Sequence, residues 1–270
     1  MKDKFRRSPI VALLVLFSTQ QALSQSPYEV QGKREAALLS VGGVTLIGGL
    51  ALNAGMTPLT PDEIAGLSKD DINFFDRGTV NNYSTKSAQF SDVLLLGCLV
   101  LPGALVFSQE SRQDFDKIGL MYAETLLLVN GLAQIAKGAF QRIRPFAYNP
   151  DAPYEPKLTA EARKSFYSGH ATNAFSGAVF FATVFNEYHS SSSLKPVVWG
   201  GSLLAAGATA YLRVAAGKHF PTDVLAGAAI GGILGYWIPR LHRAHEAENP
   251  GVTPFEHSKR IAFALRFNIN

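Results

Sequence analysis

The sequence predicts an all-α fold: a single bundle of about six helices embedded in a membrane. Three observations carry this. Charged residues make up 17% of the 270-residue chain, against roughly 25% in an average soluble protein, while 47% are hydrophobic. The run Ala36 to Pro61 contains no charge at all. The apolar segments repeat small residues rather than alternating β-branched ones, which is a helical pattern.

Taken in order, Lys2, Lys4, Arg6 and Arg7 precede the apolar run Ile10 to Phe17, and Ala22-Leu23-Ser24 is a small-x-small sequence. This order predicts a secretory signal peptide over residues 1–24. Ala36 to Pro61 follows as the best candidate span. Asp62 to Lys86 is polar and reads as a loop with short helical turns. Further helices are expected at Val93–Phe107, Ile118–Ala136, Ala171–Asn186, Val197–Leu212 and Val224–Ile238, several shorter than a full span. In the last of them Gly227, Gly231 and Gly235 make two overlapping GxxxG steps, which let membrane helices approach closely. Ser190 to Ser193 is a turn. The tail alternates Ile261, Phe263, Leu265, Phe267 and Ile269 with other residues, a strand period with no evident function. This organisation divides the chain into residues 1–24, an N-terminal helix and polar loop (25–92), a core domain (93–240) and a polar tail (241–270).

Composition excludes several classes. The single Cys98 rules out a disulfide scaffold and a multi-Cys zinc module, and is read as core packing. The net charge of +4 comes without a basic stripe and interleaved aromatics, so no nucleic-acid partner is expected.

Charge collects at three places between the apolar segments. Lys137 and Arg144 are seven residues apart, which on a continuous helix puts them on one face, with Pro145 ending the segment. Such a pair forms a clamp for a multiply charged oxyanion, and the planar fork of arginine suits that task. Arg142 falls on another face and is read as solvated. Ser168-Gly169-His170 directly precedes a helix, whose N-terminus offers unpaired N–H groups to an anion; Gly169 permits close approach and Ser168 adds a hydroxyl. The third cluster is Arg213, His219 and Asp223, with Pro221 as the first residue of the final helix. Asp223 is expected to accept a hydrogen bond from His219 and fix its tautomer. His189, His242, His245 and His257 are read as solvated surface.

In order, the clusters give Lys, six residues, Arg-Pro; Ser-Gly-His; then Arg, five residues, His, three residues, Asp. These nine residues resemble the three-part signature of the type 2 phosphatidic acid phosphatase superfamily, which also contains the vanadium haloperoxidases. The resemblance covers about Val93 to Ile238 and implies a four-helix catalytic core. Tyr167 stands where the family usually has Pro, and Leu212 where it has Ser. The resemblance implies that His219 is a nucleophile forming a phosphohistidine, oriented by Asp223. His170 becomes the general acid and then the base. Lys137, Arg144, Ser168, Gly169 and Arg213 bind the phosphoryl oxygens, with no metal and no cofactor.

Within the superfamily, the apolar helices favour a membrane phosphatase acting on a lipid phosphate partner such as undecaprenyl diphosphate, phosphatidic acid, phosphatidylglycerophosphate or lipid A. The alternative is a soluble periplasmic non-specific acid phosphatase. Location is expected to be a bacterial inner membrane with the site facing the periplasm, because Arg240, Arg243, Lys259 and Arg260 favour a cytoplasmic C-terminus. A cleaved signal followed by six crossings would place the motifs in the cytoplasm instead, so these two expectations conflict.

Overall fold

The computed structural model describes residues 26–244. The predicted signal peptide and the alternating tail lie outside the described residues. Six long helices dominate: α1 (Gly32–Ala54), α2 (Thr85–Val100), α3 (Phe115–Phe140), α4 (Gly169–Tyr188), α5 (Lys195–Ala215) and α6 (Pro221–Leu241). Among the described residues there is no strand, only an isolated antiparallel bridge between Tyr28 and Arg243.

The helices run alternately up and down. Five stretches are long and apolar enough to cross a membrane, and they contain α1, α2, α3, α5 and α6. The remaining helix, α4, sits at the centre and packs against α2, α3, α5 and α6. In its first three turns the interior face is small and polar, with Ala171, Thr172, Ala174, Ser176 and Ala178 all buried. Large apolar side chains point outward instead: Val44, Ile47, Phe90, Val93, Leu204 and Ile233 are all more than half exposed. That inside-out distribution is what a lipid solvent rewards, since hydrocarbon competes with protein for large apolar groups but not for close backbone packing.

Close packing is built from glycine. A Cβ on Gly227 or Gly235 of α6 would lie 2.6 Å from the carbonyl oxygen of Ser168 or Ser176, so only glycine lets α6 lie this close to α4. Similar steps join α1 to α3, where a Cβ on Gly49 would meet the Gln134 side chain and one on Gly138 would meet Leu52, each at 2.6 Å. Between α3 and α4, Asn130 and Asn173 exchange side-chain hydrogen bonds of 3.0 Å.

Several element boundaries differ from the sequence expectation. α2 begins at Thr85, not Val93, because Ser84 caps it by accepting from the Ser87 N–H and its first two turns are polar. Its expected C-terminal part, Leu101–Phe107, is a 3₁₀ segment with Pro102 in its first turn. α3 ends at Phe140, because Gln141 takes a left-handed conformation (φ 42°). The loop Asp62 to Lys86 does form short turns, Pro61–Ala65, Lys69–Asp71 and Phe74–Arg77.

The alternation gives the bundle two poles. The C-terminal ends of α1, α3 and α5 and the N-terminal ends of α2, α4 and α6 share one. At the other, Glu29 N–H donates to the His242 carbonyl and Ala244 N–H to that of Pro27, so both ends of the described chain meet there. His242 itself is fully buried at that pole, which corrects its reading as solvated surface.

Candidate active site

The loop between α3 and α4 is stitched to the other two clusters by backbone hydrogen bonds. Phe146 N–H donates to Gly217 O (3.0 Å), Ser168 N–H to Asp223 O (3.1 Å) and Ser165 N–H to Arg142 O (2.9 Å). Gly217 has φ +68°, a left-handed conformation that a side chain would strain, and its α-carbon faces the Asn82 carbonyl without room for a Cβ. The longest of these ties joins residues 71 apart in sequence, Phe146 and Gly217.

The result is a cavity of about 350 Å³ at the first pole, lined by Lys137, Arg144, Gly169, His170, Arg213 and His219, with Phe146, Pro156 and Thr159 also on its wall. Lys137 reaches it from the last turn of α3 and sits against Gly169, where a Cβ would lie 3.4 Å from Nζ. Arg144 reaches it differently from the sequence argument. Because α3 stops at Phe140, the two cations do not share a helix face; Arg144 is the residue before the short helix Pro145–Tyr148.

Arg144 and Arg213 are buried, at 7% and 6% exposure. Their partners are few. Arg144 donates from Nη2 to Glu161 (3.3 Å) and from Nη1 to the Lys218 carbonyl (3.4 Å), and Arg213 donates to Ser91 Oγ (3.2 Å). The Nε atoms of both are buried with no partner. Buried guanidiniums with unused donors beside a cavity are costly unless an anion fills it.

His219 is buried, and its Nδ1 lies 2.7 Å from the Ser165 carbonyl oxygen. A carbonyl can only accept, so Nδ1 carries the proton and Nε2 keeps its lone pair. Burial drives the pKa of His219 well below the ordinary histidine value, and the positive Arg144 and Arg213 add to this against the opposing Asp223 carboxylate. The imidazole is therefore neutral and nucleophilic at neutral pH.

Asp223 does not accept the expected hydrogen bond: its Oδ2 is 3.8 Å from His219 Nδ1. It accepts instead from Ser165 Oγ (2.5 Å), from Arg142 (2.5 Å) and from the Phe220 N–H (2.8 Å) that begins α6. Its hold on His219 passes through Ser165. Arg142 is correspondingly not solvated surface. It bridges the buried carboxylates of Asp223 and Asp76 and stacks on the Phe220 ring, because the left-handed Gln141 turns it inward.

Ser168 Oγ accepts from the Ala171 N–H (3.3 Å) as the cap of α4, and Ser168 is not among the residues lining the cavity. His170 lines it, with Nε2 2.7 Å from the Asp92 carboxylate of α2. Asp92, Ser165, Glu161 and Lys218 escaped the sequence argument. The one available signal for Asp92 was a lone carboxylate heading an apolar helix; Lys218 lay within the third cluster but at no informative spacing.

Residues 118–247 match the model of the PAP2 superfamily. Over that stretch the chain is similar to the PAP2 superfamily. The matched stretch takes in α3 to α6 and all three clusters, but neither α1 nor α2. An undecaprenyl-diphosphatase from Sulfolobus acidocaldarius is 30% identical over 135 residues, covering 50% of this chain and 58% of the relative. A lipid A 1-phosphatase from Porphyromonas gingivalis is 33% identical over 132 residues, covering 48% of this chain and 25% of the relative. This chain thus spans about half or less of the length of those curated relatives. Among solved structures, a transmembrane PAP2-type phosphatidylglycerolphosphate phosphatase from Bacillus subtilis aligns with 74% of this chain and 94% of its own, at 20% identity and a TM-score of 0.46.

Proposed function

We propose that the chain is a membrane phosphatase that hydrolyses lipid phosphate monoesters or diphosphates through a phosphohistidine on His219. The observation that carries this is the pair of buried, under-partnered guanidiniums beside a neutral histidine with a free Nε2. The undecaprenyl-diphosphatase and the lipid A 1-phosphatase both act on phosphates carried on lipids, which supports the substrate class. The exposed apolar helices favour it over a soluble acid phosphatase.

In the first step the Nε2 lone pair of His219 attacks phosphorus and the P–O bond to the lipid breaks. In its protonated form, held by Asp92, His170 gives its proton to the departing oxygen. Lys137, Arg144, Arg213 and the Gly169 N–H hold the equatorial oxygens, so the charge that develops meets donors already in place. In the second step His170 takes a proton from water, the hydroxide attacks phosphorus, and the P–N bond breaks to release phosphate and restore His219.

The three cations around the cavity supply what a metal ion would otherwise provide. Purified protein in detergent should therefore release phosphate from a panel of lipid phosphates with undiminished rate in excess EDTA at 25 °C. Loss of turnover in EDTA, restored by magnesium, overturns the mechanism; no release from any lipid phosphate overturns the substrate class.

A further inference from the structure

The pole opposite the active site holds a second cluster of ionisable groups that phosphoryl transfer does not use. Glu35 from the first turn of α1, Glu124 from the third turn of α3 and His242 just after α6 converge with ligand atoms all within 4.8 Å of one another. All three are buried, Glu124 and His242 completely. A carboxylate such as Glu124, inside an apolar helix, is expensive unless something compensates it.

The hydrogen bonds show what is missing. His242 Nδ1 lies 2.8 Å from the Ile238 carbonyl, which can only accept, so the proton is on Nδ1 and Nε2 presents a lone pair. That lone pair faces Glu35 Oε1 and Glu124 Oε2, each at 3.1 Å. Both oxygens of Glu124, Oε2 of Glu35 and Nε2 of His242 are buried with no hydrogen-bond partner. Acceptors therefore face acceptors, and the gap between them calls for a cation. A separation of 3.1 Å is close to the edge of a tetrahedron whose metal–ligand bonds are about 2.0–2.1 Å, which is about 3.3 Å. A histidine whose other nitrogen donates to a backbone carbonyl is also the ordinary way a protein orients a metal ligand.

We propose that Glu35, Glu124 and His242 form a binding site for a first-row divalent metal ion, zinc or manganese, distinct from the phosphate site. One imidazole and two carboxylates suit such an ion better than a softer or purely oxygen-seeking one. Arg34 closes the site from outside, donating to Glu35 Oε1 (2.8 Å) and to the carbonyls of Leu241 (2.6 Å) and Glu29 (2.5 Å). The ion would staple α1, α3 and the end of α6 at the pole where both ends of the described chain meet. Its role is structural, because the reacting groups lie at the other pole.

The test uses the full chain in detergent, stripped with chelator, re-equilibrated with Zn²⁺ or Mn²⁺ and washed. Wild type should retain about one ion per chain and show a higher Tm with the ion than without. Glu124→Gln, which keeps the shape and removes the charge, should retain at least tenfold less metal and lose the Tm response. Cobalt(II) added to the stripped wild type should develop visible d–d absorption that zinc displaces, a readout that does not depend on any variant folding. Stripping should lower Tm without lowering phosphate release at 25 °C, which separates this site from the active site. Retention below about a tenth of an equivalent by wild type, or equal retention by Glu124→Gln, overturns the proposal and leaves the three groups sharing a proton.

Discussion

Replacing Gly227 by alanine adds one carbon where the structure has no room for it. The new Cβ would lie 2.6 Å from the Ser168 carbonyl oxygen, 2.8 Å from Thr172 Oγ1 and 3.3 Å from the Thr172 nitrogen, whereas ordinary contact begins at 3.4 Å. The hydroxyl cannot simply turn away, because Thr172 Oγ1 donates to that same Ser168 carbonyl at 2.8 Å. α6 must move off α4 by most of an ångström at the turn that carries Ser168, Gly169 and His170. Overpacking of this kind costs about 1–3 kcal/mol, a fall in Tm of roughly 2–12 °C for a chain of this size. A misplacement near 1 Å between reacting groups can cost about 100-fold in rate. Thermal unfolding and kcat/KM on a lipid phosphate read both effects. Gly232→Ala is the control, since a Cβ there meets nothing within 4 Å; it should leave both measurements within error or raise Tm. Full activity and Tm in Gly227→Ala, or equal damage from Gly232→Ala, would refute the view that backbone contact between α4 and α6 sets the site.

Other expectations follow from the cavity. His219→Ala should abolish turnover of every substrate, while His170→Ala should slow alkyl phosphates by about 100- to 10,000-fold and p-nitrophenyl phosphate far less, because a good leaving group needs little protonation; a phosphoenzyme trapped on His170 would reverse the roles. Glu161 is partly exposed and occupies Arg144, so Glu161→Gln should tighten vanadate inhibition about two- to fivefold; weaker inhibition would mean that this carboxylate positions Arg144 rather than competing for it. With its pKa depressed by burial, His219 should stay neutral as pH falls through 6.5, and an NMR titration with a midpoint at or above 6.5 contradicts that.

Much of the fold was legible because membrane helices announce themselves by what they lack. Charge-free runs of small and apolar residues located all six long helices, and the glycine steps of α6 anticipated its packing on α4. Boundaries were less legible, since the polar first turns of α2 and the left-handed Gln141 leave no mark on an apolar profile. The same break explains the errors at the site. A helical wheel extended through Gln141 put Arg142 on a solvated face and joined Arg144 to Lys137. The chain instead turns at 141 and delivers Arg142 to Asp76 and Asp223, and Arg144 to the cavity by a separate route. Asp92 and Ser165 were illegible for a different reason. Each acts on a residue far away in the chain, His170 in one case and His219 and Asp223 in the other, and no local spacing encodes such a contact.

The two poles also decide how the conflicting expectations about topology relate. The helices alternate, so residues 26 and 244 lie at the same pole and the phosphate cavity at the other. If all six helices cross the membrane, a signal cleaved near Ser24 would leave residue 26 outside, and the cavity would then face the cytoplasm. A periplasmic cavity requires the opposite: residue 26 inside, with the N-terminal apolar run not cleaved as a secretory signal. Lys33, Arg34, Arg240 and Arg243 all sit at the pole away from the cavity, and positive charge flanking membrane helices favours the cytoplasm. That charge supports a periplasmic cavity over a cleaved signal. A reporter fused after Asn270 should accordingly be active only in the cytoplasm; a reporter active in the periplasm would turn the bundle over and bring the cavity to the cytoplasmic face.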